Sequence, residues 1–328
     1  MRALLVLLVL VVMGWLLVRS ATHMPGRSHQ GALEPLTPQE IAVRDEVKAH
    51  VATLAGKIGS RGMHRPAALA AAERYIRETF QSLGYTVREL PYQVAGQTLK
   101  NLEVEIRGTT RAEEIVLIGA HYDTVPSTPG ANDNASGVAA LLALARLVRE
   151  QRFARTVRLL AFANEEPPYF TTSEMGSQVY AREARQRGDR IVAMLSLETI
   201  GYFDDAPGSQ AYPPPFSFMY PDTGNFIAFV GNYSSRALVR RVTAAFRRHA
   251  RFPSEGAGAP GFIPGISWSD HSSFWQQGYP GVMVTDTALF RYGQYHTPLD
   301  TPEILDYDRL ARVVGGLAHV LADLANEE

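Results

Sequence analysis

Five short apolar runs, almost free of charged residues, constrain the fold of this chain most strongly. They occupy residues 115–120, 156–163, 191–197, 226–230 and 282–285. Continuous apolar character is typical of strands covered by helices on both faces, as in parallel sheets. Segments with helical periodicity lie between and after these runs, at residues 135–149, 173–187, 234–248 and 307–326. This alternation predicts an α/β fold with a doubly wound, mostly parallel mixed sheet flanked by helices.

The part of the chain before residue 115 predicts a different kind of local structure. Apolar side chains recur at helical spacing in residues 39–53 and 66–83. Apolar and polar side chains alternate in residues 85–94 and 101–107, as they do in half-buried antiparallel strands. We therefore expect two leading helices and an antiparallel edge on the sheet.

The N-terminus carries an apolar run without charged residues from Ala3 to Val18, between Arg2 and Arg19. Its length lies between that of a signal-peptide core and that of a membrane-spanning helix, and no clear cleavage site follows it. We interpret residues 1–20 as an N-terminal membrane anchor or, alternatively, a cleaved signal peptide. Either one predicts a periplasmic or extracellular location for the rest of the chain. Residues 21–38 are interpreted as a linker and residues 39–328 as one folded domain.

The charge balance excludes some partners. Lys and Arg number 32 against 33 Asp and Glu, which gives a net charge of −1. A chain so nearly neutral has no general attraction to nucleic acid, so we expect no nucleic-acid partner. The only membrane contact that we expect is through the N-terminal segment, and the sequence does not predict an oligomeric state.

Acidic and imidazole side chains lie within three residues after three of the apolar runs. His121 and Asp123 come after the first run, Glu165 and Glu166 after the second, and Glu198 after the third. Because the carboxyl ends of parallel strands meet at one edge of a sheet, we expect these side chains to lie close together.

Two more residues extend this set. Asp133 precedes the helical segment at residues 135–149, and His296 follows the last apolar run. Asp133 alone could be a helix cap, and His296 alone a hydrogen-bonded structural histidine. Several carboxylates at one edge would repel one another unless cations neutralised them. Since the chain has no cysteine, imidazole and carboxylate ligands favour zinc, with manganese or cobalt as substitutes.

Four strings carry a family resemblance: GAHYDTVPSTPGANDNASGV, FANEE, MLSLETIGY and YHTPLDTPE, in that order. Together they resemble the dinuclear zinc exopeptidases of clan MH. That group includes bacterial leucyl aminopeptidases and glutamate carboxypeptidase II and is related to glutaminyl cyclase. The resemblance runs from about Ala67 to the end of the chain. It implies that residues 39–328 form a zinc peptidase catalytic domain with two Zn²⁺ ions per chain.

The resemblance also implies a role for each site residue. One zinc would be held by His121, Asp133 and Glu198. The other would share Asp133 and add Glu166 and His296. Glu165 matches the general base, and Tyr295 matches a residue that supports the oxyanion. Asp123 matches a carboxylate that orients the His121 imidazole. Asp270 belongs to an Asp-His segment that either supports the site or caps a helix.

Two departures from the family pattern are visible. Glu198 stands where the family usually has Asp, and residues 167–172 are inserted where the family often has a short glycine turn. The longer carboxylate keeps the same chemistry as a ligand. The insertion affects the expected rim of the site rather than its metal ligands.

Together with these residues, the resemblance implies a dizinc aminopeptidase. It would hydrolyse the N-terminal peptide bond of a peptide substrate with a metal-bridging hydroxide and Glu165 as base. Two alternatives stay open: a glutaminyl-peptide cyclotransferase, and a non-catalytic ectodomain, which would lack ligands. Neither G-x-S-x-G nor H-E-x-x-H nor a P-loop occurs.

Two long surface loops are predicted at residues 204–224 and 252–268, which are rich in Pro and Gly. Aromatic residues gather in and just before the first of them. These either line a substrate pocket or anchor the loop to the core: Tyr202, Phe203, Tyr212, Phe216, Phe218 and Tyr220.

Overall fold

The computed structural model describes residues 13–14, 18–214 and 216–327. Most of the N-terminal apolar run, predicted to be an anchor or signal peptide, lies outside these residues. Within the described residues, no helix combines the length and the apolar character that crossing a bilayer requires. The boundaries at residues 20 and 38 therefore stay predictions.

One sheet of eight strands forms the centre of the described chain. The strands are β1 (Arg88–Val94), β2 (Gln97–Ile106), β3 (Arg111–His121), β4 (Arg155–Phe162), β5 (Arg190–Glu198), β6 (Ile227–Asn232), β7 (Ser254–Ala259) and β8 (Gly281–Thr285). Their spatial order is β1-β2-β4-β3-β5-β8-β6-β7. The central strands β4, β3, β5 and β8 are parallel, and β1 and β2 form an antiparallel edge. This confirms the predicted α/β fold with a mostly parallel mixed sheet.

Helices cover both faces of the sheet. They are α1 (Pro38–Val51), α2 (Pro66–Ser82), α3 (Gly137–Val148), α4 (Gly176–Arg187), α5 (Arg236–His249), α6 (His271–Gln276) and α7 (Tyr307–Asn326). In β3, Val116 and Ile118 face a large core, whereas Ile115 and Leu117 face a smaller core on the other side. Successive side chains of a strand point to opposite faces, so a strand between two cores must be apolar throughout.

The direction of β6 differs from the expectation that residues 226–230 are parallel to their neighbours. The strand is parallel to β7 but antiparallel to β8. The loop after β5 does not cross the sheet, because β6 begins at the same edge where β5 ends. The long loop between these strands is therefore held at the carboxyl edge of the central strands.

The prediction of a loop throughout residues 252–268 is wrong, because β7 occupies Ser254–Ala259. Its sequence SEGAGA contains no β-branched or aromatic residue, so nothing in its composition favours a strand. Pairing with β6 along its whole length holds it in the sheet.

Residues that precede α1 pack against α5 and the start of β7. Met24 is buried, and the Arg247 guanidinium donates to the carbonyl oxygen of Pro25 at 3.2 Å. The backbone N–H of Ser254 donates to Ser28 Oγ at 2.8 Å. The first residues of the predicted linker thus contact α5 and β7.

Candidate metal centre

The carboxyl ends of the central strands bring the predicted ligands together. His121 ends β3, Glu198 ends β5, and the Glu165–Glu166 pair follows β4. Asp133 lies at a kink in the turn Ala131–Ser136 that leads into α3, where its backbone is not helical, and His296 lies in the loop after β8. All of these side chains are buried except that of His296, which is 31% exposed.

Asp133 lies between the two histidines and offers one carboxylate oxygen to each. His121 Nε2 is 3.3 Å from Asp133 Oδ1 and 3.3 Å from Glu198 Oε2. His296 Nε2 is 3.0 Å from Asp133 Oδ2 and 3.3 Å from Glu166 Oε2. The structure therefore brings together the two groups that the resemblance implies, with Asp133 shared between them.

The donor atoms in these groups fit divalent cations. Buried atoms of the site have no hydrogen-bond partner among the described residues, including His121 Nε2, Asp133 Oδ1, Glu166 Oε1 and His296 Nε2. Buried polar atoms are normally satisfied, so such a cluster indicates an absent partner. The atoms available for coordination in each group lie within 4.8 Å of one another. Imidazole nitrogens and carboxylate oxygens in this arrangement are suited to zinc.

The electrostatics of the site also favour cations. Burial raises the pKa of Glu166 to about 8, and the Asp133 carboxylate adds to this effect. Burial also raises the pKa of Glu165 well above its usual value, with Glu166 and Glu198 adding repulsion. Burial acts in the same direction on Asp133, but the neighbouring imidazoles outweigh it and lower the pKa of Asp133 below the usual value. Positive charge placed among these carboxylates would relieve their repulsion.

Asp123 connects the ends of β3 and β4. Its two carboxylate oxygens accept the backbone N–H groups of Glu165 at 3.0 Å and Glu166 at 3.1 Å. The same carboxylate lies 3.5 Å from His121 Nδ1. Asp123 therefore lies where the resemblance places a carboxylate that orients the imidazole, and it also fixes the turn that carries Glu165.

Tyr295 and Asp270 flank the ligands. The Tyr295 ring stacks on the His296 imidazole with ring centroids 3.8 Å apart. Burial raises the pKa of Tyr295 well above its usual value, so its hydroxyl keeps its proton. Asp270 is buried at the start of α6, and its side chain makes no capping hydrogen bond to that helix. Its neighbour Ser269 donates to Glu198 Oε2 at 2.8 Å, a contact that the sequence did not predict.

Asp300 holds the backbone at Asp133, a role that the sequence did not predict. Its carboxylate accepts the backbone N–H groups of Asn132 at 2.8 Å and Asp133 at 3.0 Å. The residue belongs to the string YHTPLDTPE, four positions after His296. Its place in that string is the only local signal, because its partners lie more than 160 residues earlier in the chain.

Arg61 was also missed, and it holds the loop between the ligands His121 and Asp133. Its fully buried guanidinium donates to the carbonyl oxygens of Tyr122 at 2.8 Å, Pro129 at 2.7 Å and Gly130 at 3.0 Å. Burial lowers the pKa of Arg61 to about 10, so the group remains charged at neutral pH. Gly130 has a φ of 65°, and a Cβ there would meet the carbonyl oxygen of Asp133 at 2.4 Å.

A cavity of about 100 Å³ opens beside Glu198 and Tyr295. Three of the aromatic residues that the sequence singled out line it: Tyr212, Phe216 and Tyr220. The others do not line it. Tyr202 stacks on Tyr292, Phe203 packs against Phe252, and Phe218 is 91% exposed. The first loop therefore contributes both to a cavity wall and to anchoring contacts.

The fold and the site together define an α/β protein with a candidate metal centre at the carboxyl edge of its mixed sheet. The model of peptidase family M28 matches residues 101–321. The chain belongs to peptidase family M28 and is a peptidase. The family match confirms the resemblance to the zinc exopeptidases that was inferred from the four strings.

Relatives by sequence include one of similar length. The uncharacterized protein YfbL of Escherichia coli is 40% identical over 296 residues, covering 88% of this chain and 90% of that protein. Leucine aminopeptidase 1 of Trichophyton rubrum is 26% identical over 65% of this chain. The match spans 56% of the length of that aminopeptidase.

Solved structures show the same fold. A zinc aminopeptidase from Bacillus subtilis superimposes with a TM-score of 0.66 at 15% identity, covering 87% of this chain and 95% of that chain. The glutaminyl cyclase of Fimbriiglobus ruber superimposes with a TM-score of 0.63 at 19% identity, covering 90% of this chain and 97% of that one. The fold is thus shared by proteins with these two different activities.

Proposed function

We propose that the chain is a dizinc aminopeptidase that removes the N-terminal residue of a peptide. The observation that carries this proposal is the shared position of Asp133, 3.3 Å from one imidazole and 3.0 Å from the other. A carboxylate in this position suits two ions that share it as a ligand. The relatives that are named aminopeptidases support the choice among peptidase activities.

The chain would hold one zinc with His121, Asp133 and Glu198. It would hold the other with Asp133, Glu166 and His296. When bound, such a pair lowers the pKa of a water molecule toward about 7 and polarises the scissile carbonyl group. Three carboxylates in the two ligand sets leave the charge of the loaded site small, which a buried site requires.

Glu165 is the residue that we propose moves protons. Its carboxylate lies with His121 and Glu166 in a group whose ligand atoms are within 4.8 Å of one another, and Asp123 fixes its backbone. It would take a proton from the attacking water and return it to the leaving amine. The protonated hydroxyl of Tyr295, stacked on His296, would donate to the oxygen of the scissile carbonyl as its negative charge develops.

The zinc content and a substrate panel test this proposal together. Purified protein is expected to contain two zinc ions per chain and to hydrolyse aminoacyl p-nitroanilides that have a free α-amine. N-acetylated versions of the same anilides are the control and should not be hydrolysed. One zinc per chain with pyroglutamate formation from a glutaminyl peptide would favour the cyclotransferase, and a zinc-loaded protein without turnover would favour a non-catalytic ectodomain.

We also propose that the N-terminal apolar run anchors the chain in a membrane, with the catalytic domain on the periplasmic or extracellular side. The observation behind this is the uncharged run from Ala3 to Val18. A variant without residues 1–20 should be released without detergent and should keep the activity of the full chain. A truncated protein that still required detergent for extraction would contradict the anchor.

A further inference from the structure

The cavity beside Glu198 has a second carboxylate at its other end. Glu255, on β7, lines the cavity together with apolar and aromatic side chains. Its side chain is 23% exposed, and burial raises its pKa above the usual value. Carboxylates are uncommon in apolar cavities because burying charge is unfavourable without a partner. Glu255 therefore calls for an explanation in terms of what the cavity binds.

The sheet register gives the length of the cavity. One row of neighbouring residues crosses four strands: Glu198 on β5, Thr285 on β8, Ala228 on β6 and Glu255 on β7. Neighbouring strands lie about 4.8 Å apart, so three spacings separate the Cα atoms of Glu198 and Glu255 by about 14 Å. The two inner residues of the row are small, which leaves space above the sheet between the carboxylates.

Glu255 keeps free capacity to accept hydrogen bonds. Among the described residues its carboxylate accepts none, and its nearest cation is Arg247, with Nη2 3.7 Å from Oε2. The Arg247 guanidinium donates instead to the carbonyl oxygens of Ser254 at 2.6 Å and Pro25 at 3.2 Å. No Lys or Arg is among the described residues that line the cavity.

The walls between the two carboxylates suit an alkyl chain. Phe216, Ile266 and Phe290 supply apolar surface along the cavity. Tyr212 and Tyr220 stack on each other, and their hydroxyls already donate to the carbonyl oxygens of Pro221 and Gly256. These two rings therefore offer aromatic surface rather than free donors. Aromatic surface accommodates both methylene groups and cations.

Resting on the proposed aminopeptidase function, we propose that this cavity selects an N-terminal lysine or arginine. The α-amine end of the substrate lies at the metal centre near Glu198. The aliphatic stem runs along the apolar walls, and the ammonium or guanidinium group reaches Glu255. Glu255 is the residue that distinguishes a basic side chain from an apolar one of the same length.

Matched anilides test the proposal directly. Lysine and norleucine differ mainly in the terminal ammonium group, so the ratio of their kcat/KM values isolates the contact with Glu255. We expect wild-type protein to prefer lysine p-nitroanilide over norleucine p-nitroanilide. In Glu255→Gln this ratio should fall by about 10- to 100-fold, the usual effect of a hydrogen bond to a charged group. Glu113→Gln is the control. Like Glu255, Glu113 lies 3.7 Å from an arginine, but it lies at the start of β3, whereas the ligand His121 lies at the end of that strand.

A binding measurement separates this proposal from the proposed activity. Calorimetric titration with lysinamide and norleucinamide reports the selectivity even if no anilide is hydrolysed. Tighter binding of lysinamide, lost in Glu255→Gln, would support the cavity assignment while the absence of turnover contradicted the aminopeptidase. Equal binding of the two amides by wild-type protein, or a lysine preference that survives in Glu255→Gln, would overturn the proposal.

Discussion

Glu165→Gln is expected to lower kcat by about 10²- to 10⁴-fold while the protein keeps its full zinc content. The amide cannot take up a proton from water, and a positioned general base usually contributes an effect of this size. Asp123 holds the backbone N–H of Glu165 whichever side chain is present, so the turn should keep its shape. Zinc stoichiometry, KM and kcat measured on one preparation decide the outcome.

The neighbouring substitution Glu166→Ala is the matched comparison. Glu166 Oε2 lies 3.3 Å from His296 Nε2, in the position of a ligand, so this variant should bind less zinc than the wild type. A simple charged turn would make the two glutamates interchangeable. A Glu165→Gln protein that loses zinc, or that retains near-full kcat, would refute the assignment of the base.

Arg61→Met is expected to lower the free energy of unfolding by at least about 2 kcal/mol, because each unsatisfied buried group costs about 1–3 kcal/mol. The substitution leaves the carbonyl oxygens of Tyr122 and Pro129 without their donor, whereas that of Gly130 keeps the backbone N–H of Ala135 at 3.1 Å. The affected loop also joins His121 to Asp133, so zinc affinity should fall as well. Urea denaturation of the zinc-loaded protein, with a zinc competition assay, measures both effects.

Arg65→Met is the control for Arg61→Met. Arg65 is exposed just before α2, and a surface substitution of this kind should change the free energy of unfolding by no more than about 0.5 kcal/mol. If the two variants were equally stable, the guanidinium of Arg61 would not be holding the loop.

The central part of the fold could be predicted because its signal is local. The apolar runs that became β3, β4 and β5 are continuous in the sequence, and helices α3, α4, α5 and α7 have clear periodicity. The strand β7 could not be predicted, since SEGAGA acquires its structure from pairing with β6. The direction of β6 depends on which edge the preceding loop returns to, and periodicity carries no information about that choice.

The candidate site also contains residues that local sequence signals predict and residues that depend on distant contacts. His121, Glu166 and Glu198 could be predicted because each lies within three residues of the end of an apolar run, and parallel strands align their ends. Arg61 and Asp300 could not be assigned in this way, because their contacts are with backbone groups. Arg61 contacts the loop after β3, about 60 residues later in the chain, and Asp300 contacts Asp133, 167 residues earlier. Such backbone contacts leave no residue-type pattern in the sequence.

The reversed direction of β6 has a consequence for how this protein could change over evolution. The predicted metal ligands lie on or beside the parallel centre of the sheet, whereas Glu255 and about half of the residues that line the cavity come from β6, β7 and the loop before β6. Both ends of that loop lie at the same edge, so its length can vary without moving a central strand. The two proposals thereby assign substrate preference and bond cleavage to separable parts of one domain, and exchanging residues 204–224 between relatives would be a practical route to altered specificity.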